Sequence, residues 1–249
     1  MVSLIANKFQ QTMKNIVITG TSRGIGYELV KQLCINNDHT IFALSRNTNQ
    51  LNELVSACKQ INPESNVIPI ACDLSIDKSL NEGVKTILKT VTSIDILINN
   101  AGAILNKPFL EIKRTEMEYV YNVNVFSAMR LIQELLPVMV GKERTHIVNI
   151  SSIGGIQGSV KFAGLSTYSS SKAALVCVTE CLAEELKEKN ISINCLALGA
   201  VQTEMLEEAF PGYKAPLTAS EMASFIADFC LKAHQFMNGK ILPISVSTP

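Results

Sequence analysis

The sequence carries no excess of either charge: 22 Lys and Arg stand against 22 Asp and Glu, for a formal charge of zero. A nucleic-acid-binding chain would show a basic face, and a protein held at an anionic membrane a basic run. Neither is present, so no nucleic-acid and no membrane partner is expected. No stretch approaches the roughly 18 uninterrupted apolar residues that mark a spanning helix. The opening segment MVSLIANKFQQTMK lacks both an apolar core of signal-peptide length and a small-residue cleavage site, which points to the cytoplasm. Gly and Pro are few, 13 and 8 in 249 residues, which excludes collagen-like and linker-rich architectures; 47% hydrophobic against 18% charged residues excludes disorder. A chain of this length buries roughly three-quarters of its unfolded surface and needs neither disulfide nor metal for stability.

Histidine is scarce. His39, His146 and His234 are scattered, form no H-E-x-x-H, and read as structural. The seven cysteines, at 34, 58, 72, 177, 181, 195 and 230, are odd in number and contain no C-x-x-C. Most sit inside apolar runs, so they read as buried, reduced thiols of a reducing compartment. Cys177 and Cys181 stand one helical turn apart and could share a metal, but no His or second Cys pair lies near them. They read as small core residues, and no metal is expected.

What is present is alternation. Short β-branched runs at Asn15–Thr19, Thr40–Leu44, Asn66–Ala71, Ile94–Asn99, His146–Ile150, Ser192–Ala197 and Lys240–Ile244 are mostly apolar on both faces, as strands buried in a parallel sheet should be. Between them run helical stripes, such as Ile25, Leu29, Val30, Leu33 and Cys34, then Leu51, Leu54, Val55 and Cys58. Longer helices fit Arg114–Val140 and Ser169–Glu188. Helices between strands imply βαβ crossovers, hence an α/β fold with a doubly wound parallel sheet of about seven strands and helices on both faces. No repeat or linker divides residues 14–249, which read as one domain. Residues 1–13 read as an N-terminal extension: a short helix, a disordered arm or an upstream start.

The first strand runs into Gly20-Thr21-Ser22-Arg23-Gly24-Ile25-Gly26 and then a helix. Such a strand–Gly-rich turn–helix aims backbone N–H groups and a positive helix N-terminus at one place, where a pyrophosphate can sit. Gly20 would permit the tight turn, Gly24 the approach of the cofactor, and Gly26 close helix–strand packing. The spacing is G-x-x-x-G-x-G, and TGTSRGIG resembles the cofactor loop of the short-chain dehydrogenases/reductases. The resemblance continues from about residue 14 to 244. It implies a Rossmann fold, with Asp73 and Leu74 after the third strand beside an adenine. Asn100, Ala101 and Gly102, in the Asn-Asn-Ala-Gly after the fourth strand, would line the cofactor site. Gly199, Val201 and Thr203 would hold the nicotinamide carboxamide and a phosphate. Asn124, Ser152, Tyr168 and Lys172 match the family's catalytic positions, with Asn124 holding a water that links Lys172 to solvent. Two departures stand out. Ser152 and Tyr168 are sixteen residues apart where the family commonly has about a dozen, and Leu198-Gly199 replaces the family's Pro-Gly.

The chemistry agrees. Carbonyl reduction needs a proton donor beside a hydride donor, and a phenol is mostly protonated at neutral pH. A Lys172 ammonium one helical turn from Tyr168 would lower the phenol's pKa and could hold the nicotinamide ribose. Ser152 would polarise the substrate carbonyl; it is preferred to Ser151 because it stands three residues before Gly155. Tyr27 and Lys31 repeat the Y-x-x-x-K spacing but directly follow the Gly-rich turn, and read as helix packing.

An NAD-preferring fold places an acid about 20 residues beyond the Gly-rich turn. Here that position is Ser45 followed by Arg46, and Arg46 with Arg23 can pair a 2′-phosphate, so NADP(H) is expected over NAD(H). The expected activity is an NADP(H)-dependent interconversion of a carbonyl and an alcohol on a small-molecule substrate. An epimerase or lyase on the same scaffold, or a catalytically silent NADP-binding sensor, are the alternatives. Residues 153–167 and 200–217 supply Ile153, Ile156, Val160, Phe162, Leu165, Leu206, Phe210 and Tyr213, which read either as an apolar substrate pocket or as core. Glu204, Glu207 and Glu208 beside them read as disfavouring a multiply anionic substrate or as a solvated face. Apolar helical surface around Tyr119–Val140 and Ser169–Leu186 points to a homo-oligomer, a tetramer or dimer.

Overall fold

The computed structural model describes residues 13–35, 39–141 and 144–246. The extension expected over residues 1–13 therefore lies, apart from Met13, outside the described residues. Seven strands form one parallel sheet: β1 (Lys14–Thr19), β2 (His39–Ser45), β3 (Asn66–Ala71), β4 (Ile96–Asn99), β5 (Thr145–Ser152), β6 (Ile191–Leu198) and β9 (Ile241–Ile244), in the order β3-β2-β1-β4-β5-β6-β9. The order reverses between β1 and β4, and at such a switch point the loops leaving the carboxyl ends part to open a crevice.

The runs that are apolar throughout are buried on both sides. Ile16 and Ile18 face one core and Val17 between them the other; Ile96 and Ile98 alternate with Leu97 in the same way. The first core is closed by α1 (Gly24–Leu33), α2 (Thr48–Ile61) and α8 (Ala219–Lys232). The second is closed by α3 (Asp77–Thr90), α5 (Ser127–Met139) and the end of α6 (Ser166–Glu185).

The structure differs from the sequence reading in several places. The helix expected over Arg114–Val140 is two helices, α4 (Arg114–Tyr121) and α5, joined by a π-helical turn over Asn122–Phe126. The fifth strand runs past Ile150 because pairing with β6 continues through Ser152 opposite Leu198. A second, two-stranded parallel sheet, β7 (Val201–Gln202) with β8 (Leu217–Thr218), was too short to show periodicity; α7 (Glu204–Ala209) lies between its strands. Finally, Cys177 and Cys181 are exposed, not core residues. Helix α6 buries Leu175, Thr179 and Ala183 and turns the cysteines outward, and its many apolar positions disguised which face packs. The other five cysteines are buried as expected.

His146 lies fully buried on β5. Its Nδ1 donates to the Cys230 carbonyl at 2.9 Å and its Nε2 accepts from Asn194 Nδ2 at 3.0 Å, so the ring is held neutral. Burial lowers its pKa from 6.5 to about 4, the Cys230 bond opposing the shift. Below pH 6.5 the unfolded chain takes a proton that the folded one refuses, so stability present above 6.5 is lost as pH falls towards 4, by roughly 3 kcal/mol from this group. Urea unfolding across that window should therefore fall more steeply for the unmodified protein than for His146→Gln. Parallel curves would show that another group governs the slope.

Candidate active site

The crevice at the switch point encloses about 480 Å³. Its floor is the Gly-rich turn between β1 and α1. Gly20 has φ of +72°, and a Cβ there would stand 2.7 Å from the Ala101 Cα. A Cβ on Gly26 would overlap the Gly20 carbonyl oxygen, so this glycine lets the first turn of α1 close onto the end of β1. That first turn carries no acid, and its N-cap residue, Arg23, makes no side-chain cap, leaving the N-terminal amides of α1 for an anion. Thr21 alone of this turn does not line the crevice: it is fully buried, its hydroxyl donating to the Leu44 carbonyl at 3.3 Å.

Asn100 fastens the second wall to the first. Its Nδ2 donates to the Thr19 and Gly20 carbonyls at 2.9 and 3.2 Å, while Thr19 Oγ1 accepts from the Asn100 and Ala101 amides at 3.0 Å each. A buried polar chain runs deeper: Asn99 Nδ2 donates to Asn149 Oδ1, and Asn149 Nδ2 to Thr179 Oγ1, each at 2.9 Å, tying β4 and β5 to α6.

At one end of the crevice stand Ser45, Arg46, Asp73 and Leu74. Among the described residues the buried Ser45 hydroxyl makes no hydrogen bond. Arg46 Nη1 donates to the Tyr119 hydroxyl at 2.8 Å. Asp73 Oδ1 accepts from the Ser75 amide and hydroxyl at 2.9 and 2.7 Å. Tyr119 was missed in the sequence: it lies on α4, 73 residues from Arg46, in a stretch with no motif.

At the other end stand Ser152, Tyr168 and Lys172, with Gly102, Gly199, Val201 and Thr203 beside them. Both serines border the crevice but are held differently. Ser151 is buried and donates to the Lys172 carbonyl at 2.8 Å, whereas Ser152 ends β5 at the crevice, its Oγ accepting from the Gly154 amide at 3.2 Å. Lys172 is buried, its Nζ donating to the Ile150 carbonyl at 2.8 Å and standing 5.9 Å from the centre of the Tyr168 ring. Burial lowers its pKa to about 8, with Cys195 opposing. Burial raises the Tyr168 phenol above its ordinary 10, and only its hydrogen bond with Ser152 draws it back. The direction is thus opposite to the downward shift expected from Lys172: burial disfavours the phenolate more than the hydrogen bond with Ser152 favours it.

Asn124 lies behind this wall, buried in the π-helical turn. Its Oδ1 accepts from the Ala103 amide at 2.7 Å, and its Nδ2 donates to the Ala103 carbonyl and Ser171 Oγ at 2.9 and 2.8 Å. The side chain braces Ala103 instead of reaching the crevice. Over the opening, Ile153, Phe162, Leu165, Leu206, Phe210 and Tyr213 line the cavity as the sequence suggested; Ile156 and Val160 do not. The rings of Phe162 and Phe210 meet edge-on at 6.4 Å, joining the two lid segments. Of the three acids, Glu204 lines the crevice, Glu207 accepts from the Gly212 amide at 2.9 Å, and Glu208 pairs with Arg23. Tyr27, by contrast, packs against the core with Lys31 5.4 Å over its ring and does not line the crevice.

The model of the short chain dehydrogenases matches residues 14–214. A fatty acyl-CoA reductase of Acinetobacter baylyi is 32% identical over 202 residues, 80% of this chain, which spans 66% of that relative's length. The 3-oxoacyl-[acyl-carrier-protein] reductase FabG of Aquifex aeolicus is 28% identical over 242 residues, 92% of this chain and 94% of its own. Among solved structures, L-sorbose reductase of Gluconobacter frateurii, complexed with NADPH and L-sorbose, superposes with a TM-score of 0.85 at 23% identity, covering 96% of this chain and 97% of its own.

Proposed function

Because the chain belongs to the short-chain dehydrogenase/reductase family, whose model spans residues 14–214, we propose that it interconverts a carbonyl and an alcohol on a small, apolar substrate with NADP(H) as hydride carrier. The observation that carries this reading is the convergence of Ser152, Tyr168 and Lys172 at one end of a crevice whose other end offers Arg46 and the unpartnered Ser45 hydroxyl. The free first-turn amides of α1 fit a pyrophosphate between those ends. The cofactor, when bound, supplies or accepts the hydride.

The residues then divide the remaining work. The Ser152 hydroxyl hydrogen-bonds the substrate oxygen and stabilises the charge that grows on it. The Tyr168 hydroxyl gives that oxygen a proton; a phenol raised above 10 is protonated throughout the neutral range, which suits reduction. Lys172, held by the Ile150 carbonyl, faces the phenolate left behind and favours it as charge develops. Asn124 fixes Ala103 and, through Ser171, the first turn of α6 from which Tyr168 projects. Ile153, Phe162, Leu165, Leu206 and Phe210 favour an apolar substrate and keep water from the reacting atoms. Absorbance of reduced nicotinamide with a panel of carbonyl compounds tests the reading. Turnover supports it; tight NADPH binding with no turnover on any member would make the protein a sensor.

We further propose a homo-oligomer. Phe126 and Met129 are exposed where α5 begins, and Cys177 and Cys181 add exposed soft surface on α6. A second copy presenting the same face would cover them. Sedimentation at micromolar concentration should show a multiple of 27.2 kDa, and the 27.2 kDa species alone would refute it.

A further inference from the structure

Arg23 and Glu208 are 185 residues apart in the chain, yet they form a two-pronged pair. Nη1 and Nη2 of Arg23 donate to Oε1 and Oε2 of Glu208 at 2.5 and 3.1 Å. The two residues belong to different elements, and of the two only Arg23 lines the crevice. Arg23 stands in the Gly-rich turn, and Glu208 on α7, one of the segments that roof the substrate end. Helix α7 has only six residues, none of them buried. Besides this pair it is tied down by the Thr203 cap, by Asn106 Nδ2 donating to the Ala209 carbonyl at 2.8 Å, and by the Phe162–Phe210 contact just beyond its end.

A guanidinium offers its two Nη groups as a fork that fits one carboxylate or one phosphate, not both at once. Arg23 has its fork on Glu208, and a second acid, Glu204, adds to the negative field around it. Both partners are well exposed, the side chains 43% and 59% accessible, and an ion pair this wet is held weakly. It can be exchanged for a better anion. We propose that Glu208 is an internal competitor for the cofactor's 2′-phosphate: it occupies Arg23 until the phosphate takes the guanidinium, and the exchange releases α7 from the Gly-rich turn. The inference rests on the NADP(H) reading above. Glu208 is then a specificity-determining residue that lowers the affinity for phosphorylated cofactor alone, and it ties the Gly-rich turn at the floor of the crevice to α7.

Fluorescence titration of NADPH and NADH into the unmodified protein and Glu208→Gln tests this. The substitution keeps the side chain's size and removes its charge. NADPH should bind about two- to fivefold more tightly to the variant, the worth of an exposed pair, while NADH affinity stays unchanged. Amides of residues 204–209 should also exchange hydrogen faster in the cofactor-free variant than in the cofactor-free unmodified protein. An equal change for both cofactors would mean that Glu208 serves only the shape of the lid, and an unchanged or weakened NADPH affinity would overturn the competition. If the unmodified protein binds NADPH and NADH alike, the cofactor reading falls and takes this inference with it. If it distinguishes them and Glu208→Gln leaves the ratio as it was, the competition fails alone.

Discussion

Tyr168→Phe is expected to lower turnover by about 10²–10⁴, with cofactor affinity within a few-fold of the unmodified protein. The substitution removes one hydroxyl and leaves the ring, its place at the start of α6, and the Lys172 bond to the Ile150 carbonyl. What disappears is the one phenolic proton beside Ser152. Cofactor binding, which the proposed reading assigns to the Gly-rich turn and Arg46, has no reason to change. Tyr27→Phe is the matched control, since Tyr27 has a lysine four residues on and a cation over its ring but only core beneath it. Steady-state rates for the two variants should differ by at least two orders of magnitude. Should they lose activity to the same degree, Tyr168 is not the proton donor.

The second large effect concerns Arg46. The unmodified protein is expected to bind NADPH at least about tenfold more tightly than NADH, about 1.4 kcal/mol, and Arg46→Asp to erase or reverse that order. Arg46 is exposed at the end of β2, and its only side-chain partner among the described residues is the neutral Tyr119 hydroxyl, so its charge is free to meet a phosphate. An aspartate there would repel the phosphate and accept hydrogen bonds from an unmodified ribose. Titration at moderate salt reads both affinities in both proteins. Equal affinities in the unmodified protein would refute the preference.

The sheet was legible because a doubly covered strand must be apolar at consecutive positions; IVIT and ILIN announce themselves without any knowledge of their neighbours. The crevice was legible because two of its glycines stand where a side chain would collide with backbone: a Cβ at Gly20 would meet the Ala101 Cα, and one at Gly26 the Gly20 carbonyl oxygen. Other features depend on meetings the chain makes only after folding. The Arg46–Tyr119 and Arg23–Glu208 contacts join residues 73 and 185 positions apart, and neither α4 nor α7 carries a pattern that selects those faces. The Tyr168 shift escaped for a related reason: the spacing to Lys172 is visible in sequence, but the extent of burial is not, and burial decides the sign. Cys177 and Cys181 were misplaced because α6 has apolar residues on both its inward and outward faces, so apolar neighbours could not say which way a residue points.

The π-helical turn at Asn122–Phe126 sets the phase between two halves of what would otherwise be one rod. An α-helix advances about 100° per residue, and a π turn inserts one residue beyond the regular count. Upstream of it, Tyr119 points along the rim to Arg46; downstream, Leu131 and Leu135 point into the core. An unbroken helix would align one of these sets only by swinging the other about a quarter-turn away. The extra residue thus works as an angular offset, letting a single stretch of chain answer to the packing of the sheet at one end and to the rim of the crevice at the other, with Asn124 at the joint clamping it to Ala103.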